Sequence, residues 1–256
     1  FNFMETNDIH AIILAAGRGT RMKCDSPKCL TRFGDEPFLR HTLRELSPVC
    51  MNPTIVVGYK GEEVIAEIGD GPNYVWQREL LGTGHAVMCA KDSVVGKDFK
   101  TILVLMCDQP LISTHTFEQL AKTHKDNGSA ITIATAELPN FENEYTPFIQ
   151  FGRVIRDASG HVDKIAEWKD ATEEEFAVKE VNLGMYAFDA EFLWSHLDKL
   201  TTNNTLGQYY ITDLIEMAFN EGKRVSAYTL KDNKEAFGVN SLEDLEIAKR
   251  FVVKNS

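Results

Sequence analysis

Short apolar runs alternate with amphipathic stretches over the first half of the chain. Runs rich in apolar and β-branched residues predict buried strands at residues 11–14, 54–57, 74–76 and 101–106. Apolar residues that recur every three or four positions predict helices at residues 37–46, 61–68 and 113–127. This alternation predicts an α/β fold, in which helices cover both faces of a mostly parallel sheet.

The pattern changes near residue 138. A polar loop at 139–147 precedes two strand-like runs, 149–156 and 161–168, which a turn at residues 157–160 joins into a hairpin. Together with a further strand at 181–188, they predict a small antiparallel β insertion over about residues 139–188.

The remaining segments return to the earlier pattern. Helices are expected at 189–200 and 209–220, and a strand at 223–230. We therefore expect one domain over residues 9–240. Residues 241–256 are predicted to form a C-terminal helix that projects or docks on a partner.

Small residues and cations follow the first strand. Glycines at 17 and 19 would let the backbone approach a ligand with its N–H groups pointing outward. The cations Arg21, Lys23 and Lys28 suggest that this ligand is an anion. The segment lacks the Gly-Lys-Ser/Thr ending of a Walker A loop, and Met22 stands where a dinucleotide fingerprint has its third glycine. The hypothesis is a phosphate-handling loop, and a plain solvated turn is the alternative.

Two later strand ends carry further candidates. Gln77 can donate and accept hydrogen bonds at once, which suits a nucleobase edge, although the following glycines also fit an ordinary strand-to-helix turn. His85 is interpreted as a helix-start residue that supports this turn. Asp108 follows the most apolar strand, where a carboxylate can bind Mg²⁺ or can cap the next helix. Asn240 offers a neutral oxygen and has the same two interpretations.

Composition narrows the class of protein. The 256 residues include 27 Lys and Arg against 38 Asp and Glu, so the net charge of −11 argues against a broad nucleic-acid-binding face. No apolar run approaches the roughly 20 residues that cross a bilayer. The five cysteines form no C-x-x-C pair and fit a reducing compartment. With no secretory signal pattern at the N-terminus, we expect a cytoplasmic protein that binds neither membrane nor nucleic acid.

The segment at residues 14–28 resembles the signature of the sugar-1-phosphate nucleotidyltransferases, Leu-Ala-Ala-Gly-x-Gly-Thr-Arg-Met followed by Pro-Lys. Further segments are similar, in the same order, to the uridyltransferase domain of bacterial enzymes that make UDP-N-acetylglucosamine. They are Q-x4-G-T-G-H-A at 77–86, D-Q-P-L at 108–111, G-Q-Y-Y-I-T-D at 207–213 and G-V-N at 238–240. The resemblance implies a Rossmann-like nucleotide-diphospho-sugar transferase fold. It also implies transfer of UMP from UTP to N-acetylglucosamine 1-phosphate.

The resemblance also assigns roles to individual residues. Without the resemblance, Gly152, Glu167 and Asn182 would be weak candidates for a binding site, since they are an isolated glycine, a surface acid and a strand asparagine. By resemblance, Arg21 and Lys28 are catalytic, and Mg²⁺ is bound by Asp108 and Asn240. The expected nucleotide-binding residues are Leu14, Ala15, Ala16, Gly17, Gln77, Gly82 and Thr83. The expected sugar-binding residues are Gly152, Glu167 and Asn182.

Two departures from the family pattern lie near the expected sugar site. Met106-Cys107 replaces the usual Tyr-Gly, and Leu183 replaces the usual Thr. A cytidylyl- or thymidylyltransferase for another phosphorylated sugar or alcohol is therefore an alternative, as is a non-catalytic nucleotide-sugar sensor. The expected partners are UTP and N-acetylglucosamine 1-phosphate, and the expected state is a monomer or weak oligomer.

Overall fold

The computed structural model describes residues 8–23 and 25–253, without the side chains of 252 and 253. Residues 254–256 of the predicted C-terminal segment lie outside this part. The strands are β1 (Ile9–Ala15), β2 (Arg32–Phe33), β3 (Glu36–Pro37), β4 (Thr54–Val57), β5 (Asn73–Trp76), β6 (Thr101–Met106), β7 (Ile131–Glu137), β8 (Arg153–Arg156), β9 (Val162–Ala166), β10 (Glu180–Asp189) and β11 (Val225–Thr229).

Eight α-helices are assigned within the described residues. They are α1 (Phe38–Leu46), α2 (Gly61–Ile68), α3 (Thr83–Val94), α4 (Thr114–Asn127), α5 (Glu173–Phe176), α6 (Ala190–His196), α7 (Asp213–Asn220) and α8 (Leu242–Val253). Short 3₁₀ helices lie at Thr20–Met22, Lys28–Leu30, Asn143–Gln150 and Leu197–Lys199.

The central sheet has the order β11-β7-β10-β6-β1-β4-β5, with the β8–β9 hairpin attached to β10. Strands β6, β1, β4 and β5 run parallel, and β11 runs parallel to β7. Strand β10 is antiparallel to both of its neighbours, β6 and β7. The predicted α/β class, a mostly parallel sheet with a small antiparallel part, is confirmed.

Helices cover both faces of this sheet. Alternate residues of β1 point to opposite sides, as strand geometry requires, so that Ala11 and Ile13 belong to one buried cluster and Ile12 and Leu14 to the other. The first cluster includes buried residues of α1, α2, α4 and α8, and the second includes those of α3, α6 and α7. The sheet therefore separates two apolar layers, and its strand ends are left for the site.

Two expected element boundaries and the expected position of one strand are wrong. The strand expected at 149–156 begins only at Arg153, because residues 143–150 form a 3₁₀ helix. The helix expected at 209–220 begins at Asp213, because the backbone before it bonds to the turn at residues 81–84 instead. The strand expected in the insertion at 181–188 lies in the central sheet as β10, and only Val181 pairs with the hairpin strand β8.

The terminal helix α8 packs on the domain. Leu245 and Ala248 are buried, and the ring of Phe251 lies 5.4 Å from that of Phe237. Ser241 caps the helix by accepting a hydrogen bond from the backbone N–H of Asp244 at 3.1 Å. The described part of the helix therefore packs on its own chain. The sequence had suggested instead a helix that projects or docks on a partner.

A buried arginine on β8 joins segments that lie before and after the β8–β9 hairpin. The side chain of Arg153 is fully buried between the rings of Phe141 and Phe176. Its guanidinium donates to the backbone carbonyls of Ile149 at 3.1 Å, Phe176 at 3.2 Å and Phe151. Burial lowers the pKa of Arg153. These carbonyls have no other charged donor in the described contacts, so the packing of these segments on β8 depends on this residue.

We expect Arg153→Met to lower the free energy of unfolding by about 3 kcal/mol, because buried carbonyls lose their charged donor. Urea unfolding followed by circular dichroism measures the loss. The exposed Arg40, paired with Glu67, supplies the control: Arg40→Met should cost less than about 1 kcal/mol. Equal losses in the two variants would contradict this role for Arg153.

Candidate active site

Two cavities meet at the carboxyl ends of the parallel strands. One has a volume of about 370 Å³, and its lining includes residues 14–17, Lys28, Gln77, Gly82 and Thr83. The other has a volume of about 590 Å³, and its lining includes Arg21, Gly152, Glu167, Asn182 and Asn240. Thr83, Met106 and Asp108 line both cavities. Every residue to which the family resemblance assigned a role therefore lines at least one of the two cavities, whereas Gly19, Lys23 and His85 line neither.

The junction is a group of cations and oxygens from three distant segments. The ammonium of Lys28 donates to Asp108 and, at 2.6 Å, to Oδ1 of Asn240. Nη2 of Arg21 donates to the same Asn240 oxygen at 2.8 Å. The backbone N–H of Val239 donates to the carbonyl of Asp108 at 2.8 Å, which places Asn240 beside the aspartate. The side-chain oxygens of Asp108 and Asn240 thus both face the Lys28 ammonium, and Asn240 also faces Arg21.

The loop after β1 folds tightly onto Lys28. Gly19 has φ +60°, and a Cβ at this position would lie 2.5 Å from Cβ of Lys28. Glycine is therefore required both by the left-handed backbone and by the close approach. By contrast, a Cβ at Gly17 would meet nothing within 4 Å, so the start of the loop is open toward the smaller cavity.

The turn before α3 is held from two sides. Gly82 has φ +108°, and a Cβ there would lie 2.6 Å from the carbonyl oxygen of Tyr209. The same carbonyl accepts from the N–H of Gly84 at 2.8 Å, and the N–H of Tyr209 donates to Leu81 at 2.8 Å. These backbone hydrogen bonds to the turn explain why residues 209–212 are not helical.

The side chain of Gln77 holds the turn before α3 through two hydrogen-bond contacts. Its side chain is 4 % exposed, and Nε2 donates to the carbonyl of Gly82 at 3.0 Å and lies 3.1 Å from Nδ1 of His85. His85 therefore packs at the start of α3 beside the turn, where the sequence placed it. Both contacts use the amide nitrogen of Gln77, which orients the side chain at the edge of the smaller cavity.

The three expected sugar-binding residues lie close together. The backbone N–H of Asn182 donates to the carbonyl of Gly152 at 2.9 Å, and a Cβ on Gly152 would lie 3.6 Å from Oε2 of Glu167. Oε1 of Glu167 accepts from the hydroxyl of Thr212 at 2.9 Å. Burial raises the pKa of Glu167. The wall therefore presents a carboxyl group and an amide to the larger cavity.

Three residues of the site were missed in the sequence. Gln150 accepts from the guanidinium of Arg21, Thr212 donates to Glu167, and the phenol of Tyr186 contacts Asn182. Thr212 lies within the Tyr-Tyr-Ile-Thr-Asp segment, which was available as a signal. Gln150 and Tyr186 carry no local pattern that marks them.

A larger cavity, of about 640 Å³, lies at the opposite end of the sheet. Its lining includes Ile9 and Thr101, at the beginnings of β1 and β6, and His124 and His196. None of the candidate residues lines it. Volume alone therefore does not locate the site, whereas the strand-end chemistry does.

Neither a closed metal centre nor a membrane span is found in the described residues. Across residues 8–23 and 25–253, no three His, Cys, Asp or Glu side chains come together as a metal site. In the same part of the chain, no helix is both long and apolar enough to cross a membrane. A cation bound at Asp108 and Asn240 would need further ligands from a substrate.

The sequence profile of the chain shows that it is a nucleotidyltransferase. Residues 11–174 match the sequence profile of the MobA-like NTP transferase domain, and the chain belongs to this family. This match, together with relatives that are about 40% identical, confirms the resemblance to sugar-1-phosphate nucleotidyltransferases.

Relatives and solved structures narrow the comparison. The chain is 40% identical over 232 residues to the bifunctional protein GlmU of Heliobacterium modesticaldum, covering 90% of this chain and 49% of the relative. It is 41% identical over 246 residues to the Enterococcus faecalis protein of that name, covering 95% and 52%. The chain thus spans about half the length of these curated relatives. A UDP-glucose pyrophosphorylase complexed with UDP-glucose shares the fold, with a TM-score of 0.74 at 19% identity over 96% of this chain and 99% of that one.

A further acidic group, Asp213, lies near Glu167. Burial, together with the charges of Glu216 and Asp170, raises the pKa of Asp213 to about 6. An acid whose pKa is higher in the folded than in the unfolded protein favours folding while it is protonated. That contribution is complete below pH 3.8 and is lost as the pH rises through 6.

Asp213→Asn should therefore gain stability relative to the unchanged protein as the pH rises from about 4 to about 6, and the gain should level off above that range. Urea unfolding at a series of pH values between 4 and 8 measures this difference. Glu118→Gln, on the exposed side of α4, is the matched control for the removal of one carboxylate. A difference for Asp213→Asn that does not change with pH would contradict the assignment.

Proposed function

We propose that this chain transfers UMP from UTP to N-acetylglucosamine 1-phosphate. A phosphate oxygen of the sugar attacks the α-phosphorus in line, the bond from that phosphorus to the bridging oxygen breaks, and pyrophosphate leaves. One observation carries the proposal: two cavities of different lining meet at Asp108, with Lys28 on the smaller cavity and Arg21 on the larger one. Similarity to GlmU proteins over nine-tenths of the chain supports the choice of substrates.

The smaller cavity suits the nucleotide. The backbone of residues 14–17 would approach the phosphates, since the space beside Gly17 is open. Gln77, Gly82 and Thr83 would contact the uracil, and the Gln77 amide is already oriented by the turn. Preorganised polar groups of this kind lose little freedom when the ligand binds.

The larger cavity suits the acylated sugar phosphate. Gly152, Glu167 and Asn182 would contact the sugar through a carboxyl group, an amide and close backbone approach. Met106 and Leu183 also line this cavity, and both depart from the family pattern. Another phosphorylated sugar is therefore the second candidate substrate.

The oxygens at the junction fit Mg²⁺. Asp108 and Asn240 already face one cation, the Lys28 ammonium, and a carboxylate and an amide oxygen are hard donors. These two residues would bind the ion. The ion would supply Lewis-acid stabilisation of the negative charge on the phosphates.

Arg21 and Lys28 would neutralise the charge of the phosphates. Their present partners are Gln150, Asn240 and Asp108, and substrate phosphates would compete for the same N–H groups. The attacking oxygen is already an anion, so no activated Ser, Cys or His is required. Catalysis would then depend on positioning and on stabilising the charge that develops on pyrophosphate. The presence of both cations supports an enzyme over a non-catalytic sensor.

The direct test is pyrophosphate release with UTP, Mg²⁺ and N-acetylglucosamine 1-phosphate. Parallel reactions contain the 1-phosphates of glucosamine, glucose and galactose, and CTP, dTTP, ATP or GTP in place of UTP. We expect release with UTP and the acetylated sugar only. Release with another sugar would replace the proposed substrate, and no release with any pair would refute the proposed activity.

Arg21→Ala and Asp108→Ala should each lower kcat/KM by about 10²–10³, because each removes one charged group that acts on the transition state. Steady-state pyrophosphate release measures the loss. The matched controls are Arg44→Ala and Asp126→Ala, which change exposed ion pairs outside both cavities. Activity of either site variant within a few-fold of the unchanged protein would exclude the assigned role.

A further inference from the structure

A fully buried phenol, Tyr186, lines the larger cavity beside Asn182. Tyr186 is 2 % exposed, and its hydroxyl accepts a hydrogen bond from Nδ2 of Asn182 at 2.7 Å. Asn182 is itself 8 % exposed and lines the larger cavity. A buried phenol usually has a polar partner, and here that partner is a residue of the proposed sugar site.

The orientation of the Asn182 amide is determined by its neighbours. The backbone N–H of Gly184 donates to Oδ1 of Asn182 at 3.2 Å. A backbone N–H can only donate, so the amide oxygen must face Gly184 and the amide nitrogen must face Tyr186. Each end of the amide therefore has one partner, and the second N–H of Nδ2 remains for a ligand.

The contact depends on an irregularity in β10. Residues four apart in a regular strand lie on the same face but about 13 Å from each other. The register of β10 against β7 shifts between Asn182 and Tyr186, and Gly184 has φ +72° within that interval. The backbone between the two residues is thus not extended, which brings the phenol within reach of the amide. Bulges of this kind commonly redirect a side chain beside a site.

We propose that Tyr186 is a positioning residue, which holds the Asn182 amide with an N–H directed at an acceptor oxygen of the sugar phosphate substrate. The inference rests on the proposed function. It predicts that Tyr186 acts on sugar affinity through Asn182, without an equal effect on UTP. Burial and the nearby charge of Glu167 raise the pKa of Tyr186, so the phenol stays neutral at physiological pH.

Tyr186→Phe removes only the hydroxyl. We expect KM for N-acetylglucosamine 1-phosphate to rise about 3- to 10-fold, the effect of one hydrogen bond, while kcat and KM for UTP change less than twofold. The control is Tyr228→Phe, which removes a hydroxyl bonded to Thr116 on the far side of the sheet from this wall. It should leave both KM values unchanged.

A double-mutant cycle separates positioning from general stability. In an Asn182→Ala background, Tyr186→Phe should have no further effect on sugar KM, because the amide it orients is absent. If Tyr186→Phe alone unfolds, Asn182→Asp is the second variant. The phenol can then donate to the new carboxylate, but the ligand loses the N–H donor of residue 182. Sugar KM should then rise with Tyr186 intact.

A binding measurement distinguishes failure of this inference from failure of the proposed function. Calorimetric titration with UDP-N-acetylglucosamine requires no turnover, and thermal unfolding of each variant reports its folding. Weaker binding to folded Tyr186→Phe, with no added loss in the Asn182→Ala background, supports the proposal. Unchanged sugar KM and unchanged binding, or equal losses in both backgrounds, would overturn it. Absence of pyrophosphate release by the unchanged protein refutes the activity alone.

Discussion

The contact of the Lys28 ammonium with Asp108 and Asn240 is the interaction on which the site depends. It joins segments 80 and 212 residues from Lys28 in sequence, and both charged side chains are mostly removed from solvent. A cation or carboxylate left alone in such a place would be costly, so the three groups stabilise one another only when all are present. The loop after β1, the end of β6 and the segment before α8 must therefore assemble together.

The sheet supplies the positions that make this assembly possible. Parallel β1 and β6 end side by side, which brings the loop after β1 and Asp108 to the same edge. Antiparallel β10 enters between β6 and β7, so that Asn182 reaches this edge from the opposite chain direction. One strand thus connects the sheet with the hairpin wall, and the two cavities share a boundary at Asp108.

The hydrophobic pattern predicted the features that depend on neighbouring residues, such as the ends of the strands. The apolar run before Asp108 and the small residues before Arg21 identify strand ends, and the strand ends meet because the strands are parallel. The position of β10 was not predictable in this way, because strand pairing is a nonlocal choice that alternation does not specify. The contact of Tyr186 with Asn182 depends on an irregular stretch of β10, and nothing in a single sequence marks it. The sequence therefore revealed the groups that would face a substrate more readily than those that orient them.

We propose that one nucleotide and one sugar phosphate occupy adjoining cavities across the Lys28–Asp108–Asn240 junction. A crystal structure with UDP-N-acetylglucosamine and Mg²⁺ would show whether they do. We expect uracil density beside Gln77, the acetylated sugar against Asn182, and the diphosphate at the junction. Ligand density in the 640 Å³ cavity at the other end of the sheet, with the junction unchanged, would contradict it.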